Sequence, residues 1–290
     1  MKKRLVSMFL VLSMVGAVLS GCGGSGGEST DSEDKDTENV SSEGSEEEST
    51  DKKDTIKIGI RSDGIDQLEV VRAKIEAAGY TVEESVFDDS VQPNVALGEG
   101  SIDVNWYQHG PYLETYNAEN DTDFVMIEPK TAYPLFAMFS DKYDSIDKLP
   151  DGATIGLCND ATNQARALNM LQSEELITLD DSVEVPTMYD VKENPHNFEF
   201  IEAEMSVLPQ SLSDADAICL AAAHMVNAGL SADGYLCSAP DGEDYAVGFV
   251  VRGEDKDAAW AKELAEIVQC DELAAYFADE KDGTMVPSWK

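Results

Sequence analysis

Two short stretches gather the side chains best suited to hold a small polar ligand. The first is Asn105-Trp106-Tyr107-Gln108-His109-Gly110-Pro111-Tyr112, where aromatic rings with polar tips crowd the end of an apolar run. Such rings give a pocket wall both apolar area and hydrogen-bonding edges, although core aromatics beside a turn would look the same. The second is Asn159-Asp160-Ala161-Thr162-Asn163-Gln164-Ala165-Arg166. Asp160 is an N-cap residue, and the helix it starts presents unpaired N–H groups and a positive dipole end. With Arg166 in the second turn, the pair could seat a carboxylate, or Arg166 could be a solvated arginine on a helix face. The pattern leaves these two readings even.

Signatures of catalysis are missing. The chain has no HExxH or Walker A sequence; GxSxG and GxGxxG are spelled only within the glycine run Gly21 to Gly27, and SxxK only at Ser32, Ser49 and Ser145, none of them between a strand and a helix as that chemistry requires. His109, His196 and His224 lie far apart in sequence, and each reads as a structural residue or single hydrogen bonder rather than a metal ligand. No enzyme, metal site or cofactor is expected. Cys158, Cys219, Cys237 and Cys270 include no CxxC pair; one disulfide among them and a buried free thiol at each are equally compatible with the sequence.

The elements that must position these stretches follow from periodicity. Lys57 to Arg61 alternates as a strand, and Ile65, Leu68, Val71, Ile75 and Ala78 recur at helical spacing up to Gly79. Thr81 to Phe87 is a second strand, Pro93 to Gly98 a short helix, and Ile102 to Tyr107 a third strand. This β-α-β-α-β order predicts a mostly parallel sheet with covering helices. A second such unit starts with a strand at Thr154 to Cys158 and a helix from Asp160 to about Ser173. Strands at Phe198 to Ala203 and Ala215 to Leu220 complete it. Phe124 to Phe139 crosses between the units as an apolar segment broken at Pro129 and Pro134, and Tyr245 to Arg252 is a further strand. Helices around Trp260-Leu264-Ile267 and Leu273-Tyr276-Phe277 follow, and the tail Val286-Pro287-Ser288-Trp289 can pack but not continue a helix. Two α/β lobes joined by crossing segments enclose a cleft, and ligands bind such sheets beyond the carboxyl ends of their strands.

The N-terminus has a different purpose. Lys2, Lys3 and Arg4 precede an apolar run from Leu5 to Leu19, too short for the ~20 residues of a comfortable membrane span but suited to a secretory signal. The run ends in Leu19-Ser20-Gly21-Cys22, which resembles the lipobox of bacterial lipoproteins and implies a lipid on the Cys22 thiol. Residues 23–54 hold 12 acidic residues and three lysines without one aromatic. That composition predicts a flexible tether reaching roughly 30 Å as a random chain. The whole chain has 58 Asp and Glu against 20 Lys and Arg, a net charge of −38, of which −32 falls on residues 55–290. A surface this acidic repels phosphate backbones, so nucleic acid is excluded as a partner.

The same two stretches resemble the NlpA/MetQ family of methionine-binding lipoproteins of ABC importers. Ser101-Ile102-Asp103-Val104 leading into the first stretch and through Leu113 is similar to the family's (G)DIDANxFQHxPYL, and Asn159 to Asn163 with Arg166 is similar to PNDPTNxxR. Phe87-Asp88-Asp89, Pro93 to Leu97, Tyr133-Pro134, Glu193-Asn194-Pro195 and Leu208 to Leu212 add matching blocks in the same order. The resemblance implies an α/β, two-lobed type II periplasmic-binding-protein fold with a hinge and an inter-lobe ligand cleft. Residues 1–21 are then the signal peptide and 22–54 the lipidated cysteine with its tether. Residues 55–132 and 245–290 form lobe I, and 133–244 form lobe II. It also implies that Tyr107, His109 and Tyr112 enclose the ligand side chain and that Arg166, with Asn163 nearby, takes the carboxylate. Three positions depart from the family: Ser90 replaces an aromatic, leaving room for something longer, and Ala223 and Val247 replace asparagines that hold the ligand's ammonium. Either His224 or Asp216 substitutes for those amides, or the ligand is not free methionine but a derivative, another amino acid or a short peptide. The implied setting is a monomer anchored by lipid to the outer face of the cell membrane, delivering its ligand to an ABC permease and its ATPase.

Overall fold

The computed structural model describes residues 53–290. The signal segment, Cys22 and nearly all of the acidic tract lie outside the described residues. The described chain opens with strand β1 (Thr55–Arg61), helix α1 (Ile65–Ala77), strand β2 (Thr81–Phe87), helix α2 (Gln92–Gly98) and strand β3 (Val104–His109). Leu68, Val71 and Ile75 are fully buried on one face of α1, as their spacing requires, and Gly79 leaves the helix at φ 102°, where a β-carbon would be strained. Gly59 in β1 has a different reason: a β-carbon there would collide with Ile102. Helix α3 (Gly110–Asn120), which the periodicity does not announce, follows β3 directly. Its start is set by Pro111 and by the His109 side chain, whose Nδ1 accepts from Tyr112 N–H at 3.1 Å.

The apolar stretch after Phe124 is not one element but three short strands: β4 (Val125–Met126), β5 (Ala132–Pro134) and β6 (Phe136–Phe139). The second unit comprises β7 (Thr154–Cys158), α4 (Ala161–Ser173), β8 (Thr178–Leu179), β9 (Val191–Glu193), β10 (Glu199–Ala203), β11 (Ala217–Ala221), α5 (Ala223–Asn227) and β12 (Cys237–Ser238). The chain ends with β13 (Val247–Val251), α6 (Ala259–Ile267), α7 (Asp271–Asp279) and β14 (Met285–Pro287). The tail is therefore a strand: Met285, Val286 and Pro287 pair antiparallel with β5 at the sheet edge, a position that tolerates proline.

These strands make two main sheets, ordered β14-β5-β13-β3-β1-β2, with β4 also on β13, and β10-β7-β11-β6-β12. Both are mixed rather than mostly parallel. Each has a parallel trio, β2-β1-β3 and β10-β7-β11, and antiparallel strands on one flank. The antiparallel flanks arise because the chain passes from one sheet to the other at Leu135 and returns after β12, so β6 and β13 enter from the opposite direction. Each sheet has its own core. Ile58, Val104, Trp106, Phe249, Leu264 and Phe277 are among those under the first, and Ile155, Leu157, Leu168, Ile218 and Leu220 among those under the second.

Cys158, Cys219, Cys237 and Cys270 are all free thiols, so none of the disulfides that the sequence allowed is formed. Cys158 and Cys219 are fully buried, and burial pushes both thiols well above their ordinary pKa, keeping them protonated and inert.

Candidate ligand-binding site

The carboxyl ends of both parallel trios supply one set of residues. Arg61 ends β1, Ser90 follows β2, and His109 ends β3; Asp160 follows β7, Glu204 follows β10, and Ala223 and His224 follow β11. Three pairs join the two sets: Arg61 with Glu204 at 3.3 Å, His224 with Asp63 at 3.3 Å, and His109 with Asn163 at 3.2 Å. Between them lies a cavity of about 150 Å³. Ser90, Tyr107, His109, Tyr112, Asn163, Arg166, Ala223 and Val247, all eight positions singled out from sequence, line it.

Strand and helix periodicity explain the convergence. Tyr107 and His109 are two residues apart on β3 and so share a face. Buried Asn94, Asn105 and Gln108 hold the end of that strand through mutual bonds of 2.7–3.0 Å. On α4, Asn163 and Arg166 are three apart and share a face, while the Asp160 carboxylate caps the helix by accepting from Asn163 N–H at 2.9 Å. Since His109 Nδ1 accepts from Tyr112 N–H, its Nε2–H donates to Asn163 Oδ1, whose amide in turn donates to Asp160 at 3.0 Å. Burial lowers the His109 pKa to about 4, so this relay uses the neutral ring.

Arg166 is 1% exposed. Its guanidinium carbon lies 4.0 Å from the Tyr245 ring centre and 4.8 Å from that of Phe136, and Nε donates to Asp241 Oδ1 at 2.9 Å. Burial draws its pKa down against the opposing charge of Asp241, but an arginine stays charged. Nη2 has no partner, the sole buried side-chain nitrogen or oxygen so left among the described residues. Leaving a charged donor unsatisfied costs at least ~1–3 kcal/mol, so a carboxylate reaching Nη2 would be well rewarded. Arg166 is thus no solvated helix-face arginine but a buried one with a donor to spare.

Ser90 behaves differently from the expectation of spare room. Arg61, which sequence reasoning left as a strand end, places Nη1 2.5 Å from Ser90 Oγ and so occupies the space beside this small residue. The Ser90 carbonyl accepts from Tyr107 and Tyr112 hydroxyls at 2.7 and 2.8 Å, which fixes both rings at the wall. Burial opposes the Arg61 charge, but Asp63 and Glu204 more than offset it and its pKa is raised. Of the two substitutes weighed for the missing amides, His224 lines the cavity. Asp216 does not; it accepts from Thr154 N–H at 2.9 Å and from Lys142 at 3.2 Å at the amino end of β7 and β11, away from the strand ends that line the cavity. Asp63, Asn227 and Lys281 also line the cavity. Only Arg61 and Asp63 carried any signal, as charged residues at the carboxyl end of an apolar strand.

This arrangement has relatives. The profile of the family described as NlpA lipoprotein matches residues 56–289. The D-methionine-binding lipoprotein MetQ of Escherichia coli strain K12 is 37% identical over 253 residues, 82% of this chain and 91% of that one. The methionine-binding lipoprotein MetQ of Bacillus subtilis strain 168 is 30% identical over 81% of this chain and 88% of that one. A nutrient-binding protein from Burkholderia cenocepacia, solved bound to methionine, superposes with a TM-score of 0.76 at 31% identity, covering 80% of this chain and 99% of that one. The two-sheet α/β architecture is accordingly the two-lobed type II binding fold, and the chain belongs to the NlpA lipoprotein family.

Proposed function

We propose that the chain is the ligand-capturing lipoprotein of an ABC importer, a binding protein rather than an enzyme, and that it takes methionine or a methionine derivative. The observation that carries this reading is the unpartnered Nη2 of Arg166, a residue that lines the cavity with its aromatic wall. A ligand carboxylate satisfies Nη2 while Tyr107, His109 and Tyr112 enclose its side chain. Lobe I comprises residues 55–132 and 245–290 and lobe II residues 133–244, except that Tyr133 and Pro134 pair with β14 in the first sheet, which moves the first boundary to Leu135. Of the residues that hold Arg166, Phe136 opens β6 just after the first passage between the sheets, and Asp241 and Tyr245 lie in the second, between β12 and β13. The carboxylate therefore binds beside the hinge, where contacts made only in the closed form shift the lobes toward closure.

The protein works as a monomer, held by lipid on Cys22 at the outer face of the cell membrane, and hands its ligand to a permease and its ATPase. Isothermal calorimetry with L- and D-methionine tests the ligand: Arg166→Ala should weaken binding at least tenfold, and an unchanged dissociation constant removes Arg166 from the site. Cell fractionation tests the anchor, since Cys22→Ala should move the protein out of the membrane fraction. A second reading, another amino acid or short peptide, is favoured by Ala223 and Val247, which offer an ammonium no side-chain acceptor.

A further inference from the structure

The cavity has a second polar end. Lys281, in the turn between α7 and β14, lines it together with Asn227 and His224. Lys281 is 9% exposed, its Nζ donates to Asn227 Oδ1, and it lies 5.6 Å from the Tyr276 ring centre. Among the described residues no carboxylate lies within 4 Å of Nζ, unlike Arg61 and Arg166, which both have acidic partners. An ammonium carries three N–H donors, so two are left without a hydrogen-bond partner among the described residues. Buried ammonium donors demand acceptors. A free amino acid with an apolar side chain, gripped by its carboxylate at Arg166, has no second acceptor to offer.

The charge balance narrows what that acceptor is. Four carboxylates, Asp63, Asp160, Glu204 and Asp241, stand on or just behind the cavity wall against three cations, Arg61, Arg166 and Lys281. A ligand with two full negative charges would meet repulsion there, whereas a neutral carbonyl oxygen would not. Elsewhere on the wall Val247, Ala221 and Ala223 offer an ammonium no side-chain acceptor and leave room for an amide. We propose that Lys281, with Asn227 and His224, forms a second subsite for an uncharged carbonyl oxygen, so that the preferred ligand is an α-carboxylate whose amino nitrogen is acylated, as in an N-acyl amino acid or a dipeptide. This rests on the reading of Arg166 as the carboxylate anchor.

Calorimetry on the purified, detergent-solubilised protein with L-methionine, N-acetyl-L-methionine and L-alanyl-L-methionine tests it. At least one acylated compound should bind tenfold or more tighter than methionine, and comparison of the two reports whether a terminal ammonium adds to the carbonyl. Lys281→Met should weaken the acylated ligand at least tenfold and methionine less than twofold; Lys281→Arg, which keeps the donors, should retain most of the preference. Thermal unfolding of both variants without ligand separates a lost contact from a lost fold. Methionine binding as tightly as the acylated compounds, or Lys281→Met weakening all three alike, overturns the proposal and leaves the Arg166 anchor standing. Binding of none of the three, or binding indifferent to Arg166→Ala, sinks the anchor itself.

Discussion

Arg61 and Arg166 are arginines of the same cavity, both nearly buried, yet one is saturated and the other is not. Arg61 is tied to Asp63 through Nε at 3.2 Å, to Ser90 at 2.5 Å and to Glu204 at 3.3 Å. Arg166 has one carboxylate on Nε, two aromatic faces and an empty Nη2. The difference teaches that burial of a guanidinium does not by itself single out a binding residue; the proposal for Arg166 rests on its unspent donor. Arg61 holds the two strand-end sets together, and Arg166 keeps the donor that the proposed carboxylate would take.

The largest effect that tests this contrast is on binding. Arg166→Ala should cost a carboxylate ligand roughly ten- to a hundredfold, the equivalent of one charge-assisted hydrogen bond. The same change should alter the unfolding free energy little, because Asp241 can turn to water. Arg61→Ala should do the reverse. It strands Asp63 and Glu204 at the cleft, so chemical denaturation should show a loss of about 1–2 kcal/mol, with ligand affinity changed less than about threefold. If instead the two variants lose affinity equally, the contrast between a structural and a binding arginine fails.

Acid gives the smallest test. Burial holds His224 near a pKa of about 4 against the opposing pull of Asp63, below the ordinary 6.5 of the unfolded chain. The native state therefore carries a neutral ring where the unfolded state binds a proton, so stability is complete above pH ~6.5 and is lost as pH falls toward 4. The slope from His224 should be about 1 kcal/mol per unit between roughly pH 6 and 5. His109 shifts the same way. Thermal melts should flatten in that window for His224→Asn, and a wild-type midpoint independent of pH there would show that the ring is not held neutral.

Much of this was legible without coordinates. The α1 face, the β-α-β units and the N-cap at Asp160 each rest on local periodicity or a single capping residue, and the structure repeats them. Helix α3 and strand β14 were not legible, because the first is started by a histidine cap and a Gly-Pro pair rather than by an apolar stripe. The second exists only because β5 offers it an open edge. In the site, the two motif stretches carried Tyr107, His109, Tyr112, Asn163 and Arg166 to the cavity. Glu204, Asp241 and Lys281 come from three further segments, and nothing local distinguishes them from the other charged residues of an acidic chain.

Local sequence alone determined the family, the strand-helix alternation and the side chains that point into the cleft, since each depends on residues within a few positions of one another. Only tertiary structure decided which charges are satisfied. That Arg61 fills the place beside Ser90, that Asp216 faces away, and that Arg166 keeps a free donor all depend on where distant segments meet, and buried charge is governed by its neighbours in space.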